Sequence, residues 1–122
     1  MKRGDIYFIS LPNIFKSLNS VERGRRPVVV VSSDIGCRTA PIVMVAPITT
    51  KLKWLSCNVN IDWTCSWKRC QVLCNQLMTV PKSEFDDSNY VGSLAADELD
   101  KVDEAILISL GIAKKYCDKG DT

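Results

Sequence analysis

The chain has 122 residues, 46% of them hydrophobic and 25% charged, and its 16 Lys and Arg against 14 Asp and Glu leave a formal net charge of +2. These values fit one globular domain, residues 1–122, and exclude a disordered chain, a membrane-spanning helix and a strongly basic nucleic-acid sleeve. Histidine is absent, so any acid–base chemistry has to run on other groups, and any affinity for an anion has to come from local placement of cations.

Met1-Lys2-Arg3-Gly4-Asp5 lacks the apolar stretch of a signal peptide, so a cytoplasmic chain with reduced thiols is expected. Arg3-Gly4-Asp5 spells an adhesion tripeptide, but leading straight into a strand it is incidental. Asp5 to Leu11 is rich in β-branched and aromatic residues and stops at Pro12, which predicts a first strand. Pro12 to Arg26 is a polar loop with apolar anchors at Ile14, Phe15 and Leu18, of the kind that closes over a site. Pro27 to Ser33 is an unbroken apolar run ending in a turn signal, and Pro41 to Thr50 is a second; both predict buried strands. A loop at Lys51–Ser56 precedes a short alternating strand over Cys57–Ile61 and an irregular stretch over Asp62–Arg69, with Trp63 and Trp67 half buried. Cys70 to Val80 alternates as one strand, closed by Pro81.

The tail changes period. Ser93 is the expected N-cap, Asp97 and Glu98 suit the first turn, and Leu99, Val102, Ile106 and Leu110 recur at helical spacing as far as Gly111. Strands followed by one helix predict a mostly β (α+β) fold, a small antiparallel sheet or barrel with the helix packed on it. Six cysteines are present, four of them at Cys57, Cys65, Cys70 and Cys74. Without the paired spacing of zinc ribbons and without histidine they read as small apolar residues, so no metal or other cofactor is expected.

The chemistry concentrates at two strand ends. Arg23-Gly24-Arg25-Arg26-Pro27 places cations at the start of one apolar run, and Ala46-Pro47-Ile48-Thr49-Thr50 places paired hydroxyls at the end of the next, with Lys51 following. A cationic turn is more often merely solvated, and a Thr pair is more often merely a strand end. Polar groups at the ends of rigid strands are nonetheless positioned groups, which binding and catalysis require.

These segments, with Lys2-Arg3-Gly4-Asp5-Ile6-Tyr7, Val72 to Val80 and Asp100 to Leu110-Gly111, occur in an order that resembles the MazF/PemK toxin endoribonucleases across residues 2–112, leaving 113–122 as a tail. The resemblance implies an SH3-like antiparallel barrel with a C-terminal helix, a homodimer, and metal-independent cleavage of single-stranded mRNA at short specific sequences. It implies 2′,3′-cyclic phosphate and 5′-hydroxyl ends, a MazE-like antitoxin that relieves growth inhibition, and a complex with DNA through that antitoxin. Matched position by position, Arg26 and Thr49 are its catalytic arginine and threonine. Ser20, Glu22, Arg25, Thr50, Lys51, Asn75 and Gln76 fall among its substrate-binding positions. The chain departs from the family pattern at Val21, at Asn75 and at Met78, where many members carry a Glu, an acid and an Arg.

Two readings from other classes compete. A CcdB-like gyrase poison would share the fold, yet such toxins end in Trp-Gly-Ile, whereas Leu110-Gly111-Ile112 is followed here by residues 113–122. A non-catalytic RNA- or protein-binding barrel would fit the neutral residues at Asn75 and Met78.

Overall fold

The β-branched runs form strands with shifted edges. The computed structural model describes residues 1–11, 24–52, 55, 57–65 and 67–113, with the backbone alone for Cys65. In chain order it contains β1 (Asp5–Leu11), β2 (Gly24–Val30), α1 (Asp34–Thr39), β3 (Ile42–Thr49), β4 (Asn58–Cys65), β5 (Lys68–Leu73), β6 (Met78–Pro81), 3₁₀ turns at Lys82–Glu84 and Asp87–Asn89, β7 (Tyr90–Ser93) and α2 (Ala96–Ser109). The strands lie in the order β4-β5-β3-β2-β1-β7, all antiparallel, with β6 beside the first half of β3. The result is the expected mostly β architecture, a curled antiparallel sheet with a C-terminal helix packed on it. Among the described residues no helix is long and apolar enough to cross a membrane.

The unbroken apolar run of β2 has a packing cause. Ile6, Val29, Ala46, Ile48, Val59 and Val72 pack with Val102 and Ala105 of α2. Tyr7, Ile9, Val28, Val30, Val43, Val45 and Val80 form a second cluster. Successive β2 residues thus feed different clusters, so no position between Val28 and Val30 can be polar. Each of these valines is 0% exposed and contributes roughly 1.5–3 kcal/mol by its burial.

β2 starts earlier than its apolar run because Gly24, Arg25 and Arg26 pair with Leu11, Ser10 and Ile9 of β1. Arg25 and Arg26 therefore stand on a strand rather than in a turn, while Arg23 lies outside the described residues. Arg3-Gly4-Asp5 is structural. Gly4 has φ +94° and a Cβ there would lie 3.2 Å from Leu99, while buried Asp5 accepts from the Lys2 backbone and the Ser93 hydroxyl. Ser93 consequently ends β7 instead of capping α2, whose N-cap is Ala95. At its far end α2 closes as expected around Gly111, with φ +77°, Gly111 N–H donating to Ile108 and Ile112 N–H to Leu107 in a Schellman arrangement. Leu110 of the predicted stripe is 59% exposed, and Ala105 and Ile108 are buried instead.

Two other expectations are corrected. The supposed single strand from Cys70 to Val80 is two strands, because residues 74–77 turn over the edge of the helix. The carbonyl of Cys74 accepts from Ser109, and the Gln76 N–H folds back onto Leu73. The supposedly irregular stretch after Ile61 instead continues β4 to Cys65. Within it Trp63 packs against the core, but Trp67 is 97% exposed at the hairpin tip, with φ 65°.

Cys74 is fully buried, with its backbone N–H bonded to the carbonyl of Cys57. Burial, helped by Cys57 and Asp103, pushes its thiol up from 9.0 to about 12. An unfolded chain ionises this thiol at the lower value, so the stability it confers is complete below pH 9 and is lost progressively as pH rises toward 12. Native protein treated with iodoacetamide at mildly alkaline pH is therefore expected to keep Cys74 unmodified until denaturant is added. Peptide mapping that found Cys74 labelled at the rate of a free thiol would contradict this burial.

Candidate active site

The strands part where proline enters. The β2–β3 ladder runs from Val30↔Val45 to Val28↔Pro47 and stops, since neither Pro27 nor Pro47 has a backbone N–H to donate. Beyond it opens a cleft of about 210 Å³, lined by Phe8 of β1, Arg25, Arg26 and Pro27 of β2, Ile48, Thr49 and Thr50 at the end of β3, and Lys68 and Cys70 of β5. The β2–β3 register, continued past Val28↔Pro47, sets Arg26 across from Thr49.

Each polar group in the cleft has a local cause for its position. Thr49 is only 8% exposed, and its hydroxyl oxygen accepts the Lys51 N–H at 3.1 Å, a turn-type bond that holds the side chain. Among the described residues that hydroxyl donates to nothing, which leaves its proton for a ligand. Arg25 lies over the Phe8 ring at 4.9 Å and donates to the Phe8 carbonyl at 3.3 Å, so it is braced at the rim. Arg26 is exposed. Among the described residues three cations, Arg25, Arg26 and Lys68, line the cleft and no carboxylate does. Such a site favours a compact anion, and an Arg fork with a hydroxyl matches the oxygens of a phosphodiester.

Of the residues expected from the sequence, the fold gathers Arg25, Arg26, Thr49 and Thr50 in this cleft, with Lys51 directly after them. Ser20 and Glu22 lie outside the described residues. Asn75 and Gln76 sit in the turn between β5 and β6 and do not line the cleft. Beside Thr49 stands Gln71, which pairs with Thr49 on one side and with Asn60 of β4 on the other. Gln71 is 4% exposed; its Nε2 donates to Asn60 Oδ1 at 2.8 Å and its Oε1 accepts from Asn58 Nδ2 at 3.3 Å. Sequence reasoning missed Lys68 and Gln71: Gln71 stands out as the lone polar residue of an apolar run, but only the β3–β5 register shows that it faces Thr49. The alternating Asn58 and Asn60 could have marked its partners. Among the described residues no three His, Cys, Asp or Glu side chains come together as metal ligands would.

Comparison with known proteins extends the match beyond the cleft. The family model described as PemK-like, MazF-like toxin of type II toxin–antitoxin system matches residues 2–110. Endoribonuclease EndoA of Bacillus subtilis (strain 168) is 37% identical over 116 residues, which span 92% of this chain and 96% of that protein. Among solved structures, an endoribonuclease in complex with its cognate antitoxin from a mycobacterial species superposes with a TM-score of 0.74 at 21% identity, covering 93% of this chain and 97% of that one. The Mycobacterium tuberculosis toxin MazF-mt6 gives 0.72 at 23% identity, covering 89% and 98%. The structural likenesses establish the fold, and the family match across nearly the whole sequence places this chain among the PemK-like, MazF-like toxins of type II toxin–antitoxin systems.

Proposed function

We propose that the protein is a toxin endoribonuclease that cuts single-stranded mRNA at short specific sequences without a metal ion. The observation that supports it is the meeting of Arg26 and Thr49 across a cationic cleft in a chain that has no histidine. RNA carries its own nucleophile, so the protein has to supply position and charge rather than an attacking group. The ribose 2′-oxygen bonds to phosphorus and loses its proton to water, while the bond from phosphorus to the 5′-oxygen breaks and that oxygen takes a proton from the Arg26 guanidinium, which water then reprotonates. The Arg26 fork holds two phosphoryl oxygens as negative charge builds on them, and the Thr49 hydroxyl donates to the same phosphate. Thr49 is β-branched and already fixed by the Lys51 N–H, which limits the entropy lost on binding. Arg25, Thr50 and Lys51 extend the contact with the anion on the near side, with Ser20 and Glu22, which lie between β1 and β2 in sequence, and Asn75 and Gln76 from the β5–β6 turn contacting the flanking nucleotides.

The same reading makes the protein a cytoplasmic homodimer whose activity is relieved by a cognate MazE-like antitoxin. That complex in turn binds DNA through the antitoxin. The test is to incubate the purified protein with a long single-stranded RNA in excess EDTA and to map the new ends. Cuts at a recurring short sequence, carrying 2′,3′-cyclic phosphate and 5′-hydroxyl ends, are the expected outcome. Intact RNA, or cuts that vanish with EDTA, would overturn the metal-free chemistry.

A further inference from the structure

A second depression lies next to the cleft, and the fold shows how it is made. β4 and β5 pair at Asn60↔Gln71 and Ile61↔Cys70 and then again only at Cys65↔Lys68. Asp62, Trp63 and Thr64 therefore face Arg69 alone, a bulge that bends β4 away from its partner. A hollow of about 300 Å³ results, its lining including Asn60, Asp62, Thr64, Arg69, Cys70 and, from α2, Lys101. Cys70 also lines the cleft, so the two depressions share a wall. Alternation along β5 sends Lys68 to the cleft while Arg69 lines the hollow.

The hollow is built for an extended polyanion with a polar edge. Among the described residues Arg69 and Lys101 are exposed, form no ion pair and outnumber the one carboxylate lining the hollow, Asp62. Asn60 is oriented from behind. Its Oδ1 accepts from Gln71, whose own oxygen is held by Asn58, so the donor groups of the Asn60 amide are left over for a ligand's acceptors. Because Gln71 stands opposite Thr49, a polar row of Thr49, Gln71 and Asn60 runs from cleft to hollow, a span of about 10 Å for two strand spacings.

We propose that this hollow is a second RNA subsite, which holds a nucleotide flanking the cut, with Arg69 and Lys101 on its phosphate and the Asn60 amide on an acceptor-bearing edge of its base. The assignment rests on the ribonuclease reading of the cleft and deepens it. Gln71 is a positioning residue, acting only through the orientation it imposes on Asn60. Single-stranded RNA is read in this way, by side chains meeting the exposed edges of unstacked bases while cations track the backbone.

The experiment compares the wild type with the Arg69→Ala/Lys101→Ala double variant and with Asn60→Ala, on RNAs centred on a mapped cut and lengthened one nucleotide at a time in each direction. The wild type should gain affinity at the extension that fills the hollow. The double variant should show no such gain, a KM about tenfold higher on the long RNA, and a salt dependence shallower by about 0.7 for each phosphate no longer neutralised. On RNA trimmed back to the cut site the wild type should fall to the level of the double variant. Asn60→Ala should lose about tenfold discrimination among bases at one flanking position. Equal gains from every extension in wild type and double variant, with equal salt slopes, would overturn the subsite alone. A wild type that cuts no RNA of any length would overturn the ribonuclease reading with it.

Discussion

Replacing Arg26 with Ala is expected to lower the single-turnover cleavage rate by about 10³-fold, and replacing Thr49 with Ala by about 10²-fold. Arg26 is exposed at the mouth of the cleft, so its removal takes away transition-state charge stabilisation without opening the core. Arg26→Lys retains the charge but not the two-point fork, and its rate should fall between those of wild type and Ala. Thr49→Ser keeps the hydroxyl that accepts the Lys51 N–H and should recover most of the lost rate, while Thr49→Ala also frees that N–H. Since both side chains act on one phosphate, the double variant should be little worse than Arg26→Ala alone. A rate for Arg26→Ala within threefold of wild type, on a protein with an unchanged unfolding midpoint, would remove Arg26 from the chemistry.

Where one element dominated its own neighbourhood, the fold was legible. β1 matched its prediction residue for residue, because β-branched and aromatic composition and a terminal Pro both act locally. β3 and the end of α2 were also close, the latter because Gly111 supplies the left-handed residue a Schellman closure needs. Errors arose where a distant partner decides. Whether Ser93 caps a helix or ends a strand depends on buried Asp5, a neighbour remote in sequence that takes its hydroxyl. Whether Cys70 to Val80 is one strand or two depends on α2, which holds residue 74 from the other side.

The site divides along the same line. Arg26 and Thr49 were legible because each ends its own apolar run, and proline marks both places where pairing fails. Gln71 was not, because alternation alone cannot say which polar residue of β5 faces Thr49 once a turn interrupts the strand. Register supplies that answer, and a shift of one residue would exchange Gln71 for Cys70 or Val72. The β4 bulge was invisible for a related reason. Asp62 to Thr64 look irregular in sequence because they follow no period, yet irregular pairing is what makes room for the hollow beside the cleft.

That bulge depends on a single carboxylate, and Glu98→Ala is expected to lower stability by about 3 kcal/mol. Pairing interrupted at Ile61 leaves the Asp62 N–H without a strand partner. Glu98 Oε2 accepts it at 2.5 Å, while Oε1 accepts the Ala95 N–H at 3.0 Å and so fixes the start of α2. Ala95 has no side-chain oxygen to return the favour, so Glu98 alone organises this helix terminus. Glu98 is 8% exposed; Ala in its place would therefore strand two backbone donors and leave a gap between α2 and β4. For a chain of this length the unfolding midpoint should fall by roughly 10 °C. Glu98→Gln keeps the shape but presents N–H₂ to one of the two donors, so it should lose about half as much. The functional consequence follows from the packing: loosening β4 disturbs Asn60 before it reaches Arg26 and Thr49. Below its lowered midpoint, Glu98→Ala should thus lose affinity for long RNA while still cutting RNA trimmed to the cut site at a measurable rate. A midpoint within a degree or two of wild type would show that the bulge stands without this clamp.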